Sequence, residues 1–159
     1  MTPANSDPPA PGLRFIFEGR VDLGVPIKVG LVPQGQRRII PIVGGTFEGP
    51  CIKGRILNQG ADWQLIRPDG TAEIDTRYIL RTDGGAIVYI VNQGIRTGSP
   101  EVLARLRAGE EPDPSTYYFR TVPKFETSAP DLQWMTRAIF LCSAERKASQ
   151  VVIRVWMVE

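Results

Sequence analysis

The amino-acid sequence predicts an all-β protein: a single antiparallel β-barrel of about nine or ten strands with one short helix at about 100–108. Three observations predict it. Short apolar runs recur at spacings of about 8–12 residues, the spacing of strands in a sandwich or barrel. Turn compositions punctuate them, as in Pro33-Gln34-Gly35-Gln36, Pro68-Asp69-Gly70 and Thr82-Asp83-Gly84-Gly85. One segment alone, Ser99 to Gly109, carries helix signals.

Residues 1–12 hold four prolines and no apolar periodicity, so the reading is a disordered N-terminal tail followed by a single barrel domain over 13–159. Phe15, Phe17, Val21 and Leu23 suggest a first strand with a bend near Gly19, and Ile27, Val29 and Leu31 a second. Arg38–Val43 follows, then a glycine-rich crossing, Gly44-Gly45-Thr46-Phe47-Glu48-Gly49-Pro50, then Ile52–Leu57. The crossing lacks a GxGxxG spacing and a following helix, so it reads as a bulge at a barrel rim. Thr46 would sit there, where a ligand arrives. A hairpin over 60–78 turns at Pro68-Asp69-Gly70, and a second joins Tyr78–Arg81 to Ala86–Val91. Ser99 as N-cap, Pro100 at the first helical position, Glu101 early, Arg105 and Arg107 late and Gly109 after the end specify the helix. Tyr117–Val122, Trp134–Cys142 and Gln150–Val158 complete the strands. The last is apolar almost throughout, interrupted by Arg154, so it reads as covered on both faces, either by the barrel interior plus a helix or by another subunit, and a homo-oligomer interface through this strand is the expectation.

Composition narrows the function. The chain has 159 residues, enough for one domain burying roughly 70% of its unfolded surface. It contains no histidine, which removes Ser-His-Asp triads, Cys-His pairs and histidine-ligated metal sites. Acid/base chemistry must then use carboxylates, Tyr, Lys, Arg or Cys with shifted pKa values, and no metal or cofactor is expected. Cys51 and Cys142 are too far apart for a CxxC pattern and read as buried free thiols of a reducing cytoplasm. With a net charge of +2 and Arg37-Arg38 the one adjacent arginine pair, the cations are too scattered for nucleic acid. No apolar run approaches a membrane span of roughly 20 residues, and a cytoplasmic protein is the expectation.

The residues that could carry chemistry fall in three blocks. In the first hairpin, Glu73, Asp75 and Arg77 share one face while Ala72, Ile74, Thr76 and Tyr78 share the other. The charged row either meets water or lines a polar cavity. Across the ladder, Asp62 approaches Asp75 or Arg77 depending on register, and two carboxylates with an arginine in a partly dry pocket are pKa-tuning equipment. In Tyr117-Tyr118-Phe119-Arg120-Thr121-Val122-Pro123-Lys124-Phe125-Glu126-Thr127, an arginine among aromatics suits stacking and holding a carboxylate, or pairing with Glu126 or Asp131. Trp134 and Tyr89 read as cavity wall or as core.

These blocks in this order, from Gly44–Pro50 through Gly60-Ala61-Asp62-Trp63-Gln64, Arg67–Ala72, Arg81-Thr82-Asp83-Gly84 and Tyr118-Phe119-Arg120-Thr121 to Trp134, resemble uncharacterised protein family 0311, also called domain of unknown function 3237. The resemblance runs from about Leu13 to Val158. It implies a small single-domain β-barrel, often oligomeric, with no settled activity. Where the family often has Trp-Leu-Asn this chain has Trp134-Met135-Thr136. The matching blocks favour a cavity lined by Asp62, Trp63, Tyr89, Arg120, Glu126 and Trp134.

The leading functional expectation is therefore a small-molecule barrel with metal-free acid/base activity of lyase, isomerase or cyclase type. Asp62 or Asp75 acts as base, while Tyr89 or Arg120 polarises a carbonyl or holds a carboxylate. Thr46, Trp63, Arg77, Arg120, Glu126 and Trp134 bind the ligand, an anionic or aromatic small organic molecule. The alternatives are a non-catalytic metabolite-binding barrel and an oligomeric interaction module.

Overall fold

Strand β8 (Tyr117–Glu126) alternates buried and exposed at every residue, with Tyr117, Phe119, Thr121, Pro123 and Phe125 inward and Tyr118, Arg120, Val122, Lys124 and Glu126 outward. Period-two patterning of this kind commits one face of a strand to the core. The computed structural model describes residues 7–159, and the same rule operates around its wall. The other strands are β1 (Leu13–Leu23), β2 (Ile27–Val32), β3 (Gly35–Glu48), β4 (Lys53–Ile56), β5 (Gly60–Ile66), β6 (Ala72–Thr82), β7 (Ile87–Gly98), β9 (Phe140–Arg146) and β10 (Gln150–Val158). All pair antiparallel in one sheet, which closes as an eight-stranded barrel. The ten strands fill eight positions because β4 and β5 both lie between β3 and β6, and β2 pairs only with β3. Residues 1–6 of the expected tail lie outside the described residues. Residues 7–12 are exposed coil ending where Gly12 and Glu159 exchange backbone hydrogen bonds.

Closure depends on β3. Its first half pairs with β2 and β5, its second with β1 and β4. The change of partners falls at Gly44 and Gly45, whose φ angles are +154° and +134°. A Cβ on Gly45 would lie 2.0 Å from the Arg20 carbonyl oxygen on β1. The bend is thus at the seam where the sheet meets itself rather than at a rim. Gly45→Ala is expected to lower stability by about 2–3 kcal/mol through backbone strain and this clash. A chemical denaturation curve reads the loss; an unchanged midpoint would show that the seam tolerates a side chain.

The two ends differ. At one, Phe47, Phe17, Phe125, Phe140 and Trp134 form a continuous series with centroid separations of 5.5, 6.2, 5.0 and 6.3 Å, the first three contacts edge-on and the last tilted. A 3-10 helix, Pro130–Thr136, closes this end by burying Leu132 and Met135, whose spacing of three matches its repeat. This corrects the expected strand Trp134–Cys142: β9 starts at Phe140, because Pro130 begins the helical turn and Gln133 Nε2 donates to the carbonyls of Thr127 and Ala129. The register irregularities of β1 lie between Phe15 and Phe17 against β10 and between Asp22 and Leu23 against β3, not at Gly19. At the other end, α1 (Pro100–Arg107) lies over the mouth, with Leu103 its one buried residue. Ser99 Oγ accepts from Val102 N, and Gly109 follows with φ +80°. The helix is where its capping residues put it.

Strand β10 is covered on its inner face, where Ile153 and Val155 meet the core, while its outer row is half-buried at Val152, Trp156 and Val158 and exposed at Arg154. On that outer row Trp156 packs edge-on to Phe15 at 5.4 Å and Arg154 stacks over Phe15 at 4.6 Å. Cys142 is buried, as expected, but Cys51 is exposed in the loop before β4.

Candidate functional site

The aromatic series fills one half of the lumen and leaves the other half open. A cavity of about 50 Å³ remains there, lined on one side by Val21, Leu23, Ile40, Ile42, Val151 and Ile153. The facing side is polar, with Asp62 and Gln64 from β5, Thr76 and Tyr78 from β6, Asn92 and Arg96 from β7, and Thr121 from β8. The cavity adjoins a mouth of about 180 Å³ beneath α1, and Arg96 and Arg146 line both. Arg38, Arg107 and Lys147 complete the cationic part of that mouth.

Register explains the polar side. Asp62 is opposite Thr76 on β6, and Thr76 is opposite Asn92 on β7, so three inward residues form one row across the wall. Asp62 is 6% exposed and is held on both oxygens: Oδ1 accepts from the Asp75 backbone N–H at 3.0 Å and Oδ2 from Gln64 Nε2 at 3.0 Å. Gln64 is itself oriented by Arg38, whose Nε donates to Gln64 Oε1 at 2.7 Å. A cation thus fixes which way the amide points, and the amide fixes the carboxylate.

Burial pushes the Asp62 carboxyl above its ordinary value. The hydrogen bonds from Asp75 and Gln64, and the guanidiniums of Arg96 and Arg38, pull the other way without cancelling it. Arg96 is brought down to about 10 by burial, then by Arg146 and Arg38, and so stays cationic at neutral pH. Burial also raises Tyr78, which therefore remains a protonated phenol, and pushes Cys142 up to about 11. Among the described residues, four buried side-chain atoms have no hydrogen-bond partner: Asn92 Oδ1, Thr121 Oγ1, Arg96 Nε and Arg146 Nη1. All four residues line this cavity, a concentration that marks a site rather than scattered packing faults.

Among the residues expected at the site, Asp62 faces the lumen and the others do not share it. Asp75 lies on the opposite parity of β6; its carboxylate accepts from Gln93 Nε2 on the outer wall, and only its backbone N–H reaches Asp62. Trp63 and Asp75 line an outer groove with Arg37 and Glu73, and the Trp63 carbonyl accepts from Arg37 Nη1. Arg77 is exposed on the outer row of β6. Tyr89 is opposite Glu126 on the outer faces of β7 and β8. Arg120 points outward over the Tyr118 ring at 5.4 Å and donates to the Phe119 carbonyl. Thr46 is exposed on the outer wall beside Lys53 and Arg55. Trp134 is half-buried in the closed end, against Phe140. For those on strands the cause is common: residues adjacent in a strand point to opposite faces, so Asp62 and Asp75, on non-matching positions of paired strands, cannot share a cavity. Trp134 lies instead in the 3-10 helix of the closed end.

Gln64, Tyr78, Asn92, Arg96, Thr121, Arg38 and Arg146 were missed. For Asn92, Arg96 and Arg146 the signal was parity continued beyond the expected strand ends. The row Val88, Ile90, Asn92, Gly94, Arg96 runs past Val91, where the second hairpin was expected to stop, and Phe140, Cys142, Ala144 runs on to Arg146.

The family model described as protein of unknown function (DUF3237) matches residues 11–158. The chain belongs to this family. A UPF0311 protein of Rhodopseudomonas palustris strain TIE-1 is 44% identical over 145 residues, covering 91% of this chain and 95% of that relative. The crystal structure of a conserved protein of unknown function from Rhodopseudomonas palustris superposes with a TM-score of 0.93 at 43% identity, covering 96% of this chain and all of that one. An enzyme from Penicillium herquei, covering 98% of this chain and all of its own, has a TM-score of 0.73 at 18% identity and shares the fold alone. The residues of the DUF3237 barrel described above thus lie on a wall built the same way in solved relatives. No helix among the described residues is long and apolar enough to cross a membrane.

Proposed function

We propose that the barrel binds a small organic molecule in its lumen and performs acid/base chemistry on it with Asp62. One observation carries this reading: Asp62 is the sole carboxylate lining the cavity among the described residues, and unpartnered polar atoms of Asn92 and Thr121 face the same space. A carboxylate fixed on both oxygens, with its pKa raised, is a poised base and, once protonated, a poised acid. Asn92 Oδ1 accepts a ligand hydroxyl or amine, the Thr121 hydroxyl donates to a ligand carbonyl, and Tyr78 stays available as a neutral donor. Proton abstraction by Asp62 with return at another atom gives isomerisation; abstraction with loss or capture of a neighbouring group gives elimination or cyclisation. The 18% identical neighbour called an enzyme supports the view that such a barrel accommodates catalysis.

The rival, binding without turnover, is favoured by the cations around the single carboxylate. Native mass spectrometry of freshly purified protein tests the common premise. A bound mass below a few hundred daltons, lost on denaturation and recovered after incubation, is expected; repeated absence of any adduct from several expression hosts would count against a ligand-holding lumen. Incubating the identified compound with protein then separates the two readings: a changed mass or isomer means catalysis, and unchanged compound means carriage. A homo-oligomer through the C-terminal strand is a separate proposal. It must use side chains, since both hydrogen-bonding edges of β10 are taken by β1 and β9. Sedimentation velocity on wild type and Trp156→Ala reads it.

A further inference from the structure

We propose that Arg96 and Arg146, with Arg38 behind them, form an oxyanion site at the neck between lumen and mouth, and that the barrel's ligand is a small organic anion. The anionic group sits at this neck and the apolar body lies on the Val21–Ile40–Ile153 side, with its reactive end towards Asp62. This rests on the Asp62 reading for the position of the reacting atoms, but the anion site itself stands on separate observations.

The first is the charge inventory. Arg38, Arg96 and Arg146 face one another and a single carboxylate, each close enough to shift the titration of another member of the group. None of the three forms an ion pair within 4.0 Å among the described residues. Arg96 is 6% exposed, so bulk water does not solvate its charge. Clustering guanidiniums out of water is costly unless something neutralises them.

The second is orphaned donors. Arg96 Nε and Arg146 Nη1 are buried without partners at the two residues that line both lumen and mouth. Guanidinium N–H groups only donate, so what completes them must accept, and a carboxylate or phosphate oxygen accepts most strongly. Arg38 differs: its Nε is committed to Gln64, so it adds field and holds Gln64 in place rather than gripping the ligand. Arg96 also has Phe119 at 5.4 Å beneath its guanidinium, which keeps the plane in a defined orientation.

The third is the surroundings. Among the described residues no Asp or Glu lines the mouth; the groups there include Arg38, Arg96, Arg107, Arg146 and Lys147 with Pro26, Ile66, Leu103 and Leu106. Lys147 is the one cation of the set already occupied, at 3.8 Å from Glu111 and 3.6 Å from Glu145. An anion approaching under α1 therefore meets a positive potential that deepens towards Arg96.

The test is calorimetric titration in low-chloride buffer with four probes: benzoate, phenyl phosphate, inorganic phosphate and benzyl alcohol. Benzoate or phenyl phosphate is expected to bind, benzyl alcohol is not, and the stronger of the first two identifies the headgroup. Arg96→Gln and Arg146→Gln are each expected to weaken binding about tenfold or more, as for loss of a hydrogen bond to a charged group. Arg120→Gln, on the outer wall, is expected to bind as wild type. Circular dichroism establishes that the variants are folded, and Arg96→Lys, which retains a charge without the fork, supplies a second reading at the same position. Inorganic phosphate binding as tightly as phenyl phosphate, equal binding of the alcohol, or no loss in both glutamine variants would overturn the proposal. Asp62→Asn separates the two ideas, since it removes the acid/base group yet is expected to keep or tighten anion binding. A barrel that turns over a neutral compound and ignores both organic anions keeps the Asp62 reading and loses this one.

Discussion

Asparagine in place of Asp62 will lower turnover of the lumen ligand by about two to four orders of magnitude, the usual contribution of a positioned general acid or base. The substitution is nearly isosteric, and its amide oxygen can still accept the Asp75 N–H. Its amide nitrogen, however, meets the Gln64 amide nitrogen, whose orientation Arg38 enforces, so one hydrogen bond is lost as well as the titrating group. Carbon-detected NMR of labelled aspartate provides a check that needs no substrate: the Asp62 carboxyl should titrate above its ordinary value of 3.8. A midpoint at or below that value, or full turnover by the variant, would remove Asp62 from the mechanism.

The direction of the shift fixes the pH dependence. The folded state holds the Asp62 proton more tightly than the unfolded chain does, so this group's stabilising contribution is complete below 3.8. It is lost as pH rises through the raised folded value. Wild type should therefore lose stability relative to Asp62→Asn as pH climbs through that window, and denaturation midpoints of both proteins across the acid range measure it. Asp69 and Asp113, whose carboxyls are lowered chiefly by hydrogen bonds from Thr71 and Ser115, act in the opposite sense and lose their contribution as pH falls. As a base, Asp62 works only when ionised, so the rate should rise with pH through the same raised value.

Phe17→Ala is expected to cost about 3–5 kcal/mol, or about 6–20 °C in Tm for a domain of this size. Phe17 is fully buried and packs on both Phe47 and Phe125, joining the β1–β3 seam to β8. Removing it leaves a void bounded by rings that the closed sheet cannot draw together. Equilibrium urea unfolding with an unchanged m-value reads the loss. A cost below about 1 kcal/mol would mean that the closed end repacks freely, and that the confinement of the cavity to the other half has a different origin.

The parts legible in the chain were local. The cap at Ser99, the proline after it and Gly109 specify a helix without reference to anything distant, and α1 occupies 100–107 as those residues require. The turn at Pro68-Asp69-Gly70 is equally local: Asp69 Oδ1 accepts from the Thr71 N–H and Gly70 takes φ +86°. Placing Trp134 on a strand failed because aromatic content outweighed Pro130 and the three-residue spacing of Leu132 and Met135.

For the site, periodicity correctly divided Glu73, Asp75 and Arg77 from Ala72, Ile74, Thr76 and Tyr78, but charge drew attention to the wrong row. A barrel turns one of two equivalent strand faces inward, and the row bearing Ile74 and Tyr78 buries more apolar surface, so the charged row faces out. Asp62 follows its partner Thr76 inward. Strand content, turns and the helix were thus present in the amino-acid order, because they depend on neighbours a few residues apart. Which polar residues meet depends on closure: β3 changes partners at Gly44–Gly45, and the curvature that results brings Arg38, Asp62, Arg96 and Arg146 from four strands to the cavity and its mouth. No pattern within a single strand encodes that convergence, since it arises from register summed around the whole ring.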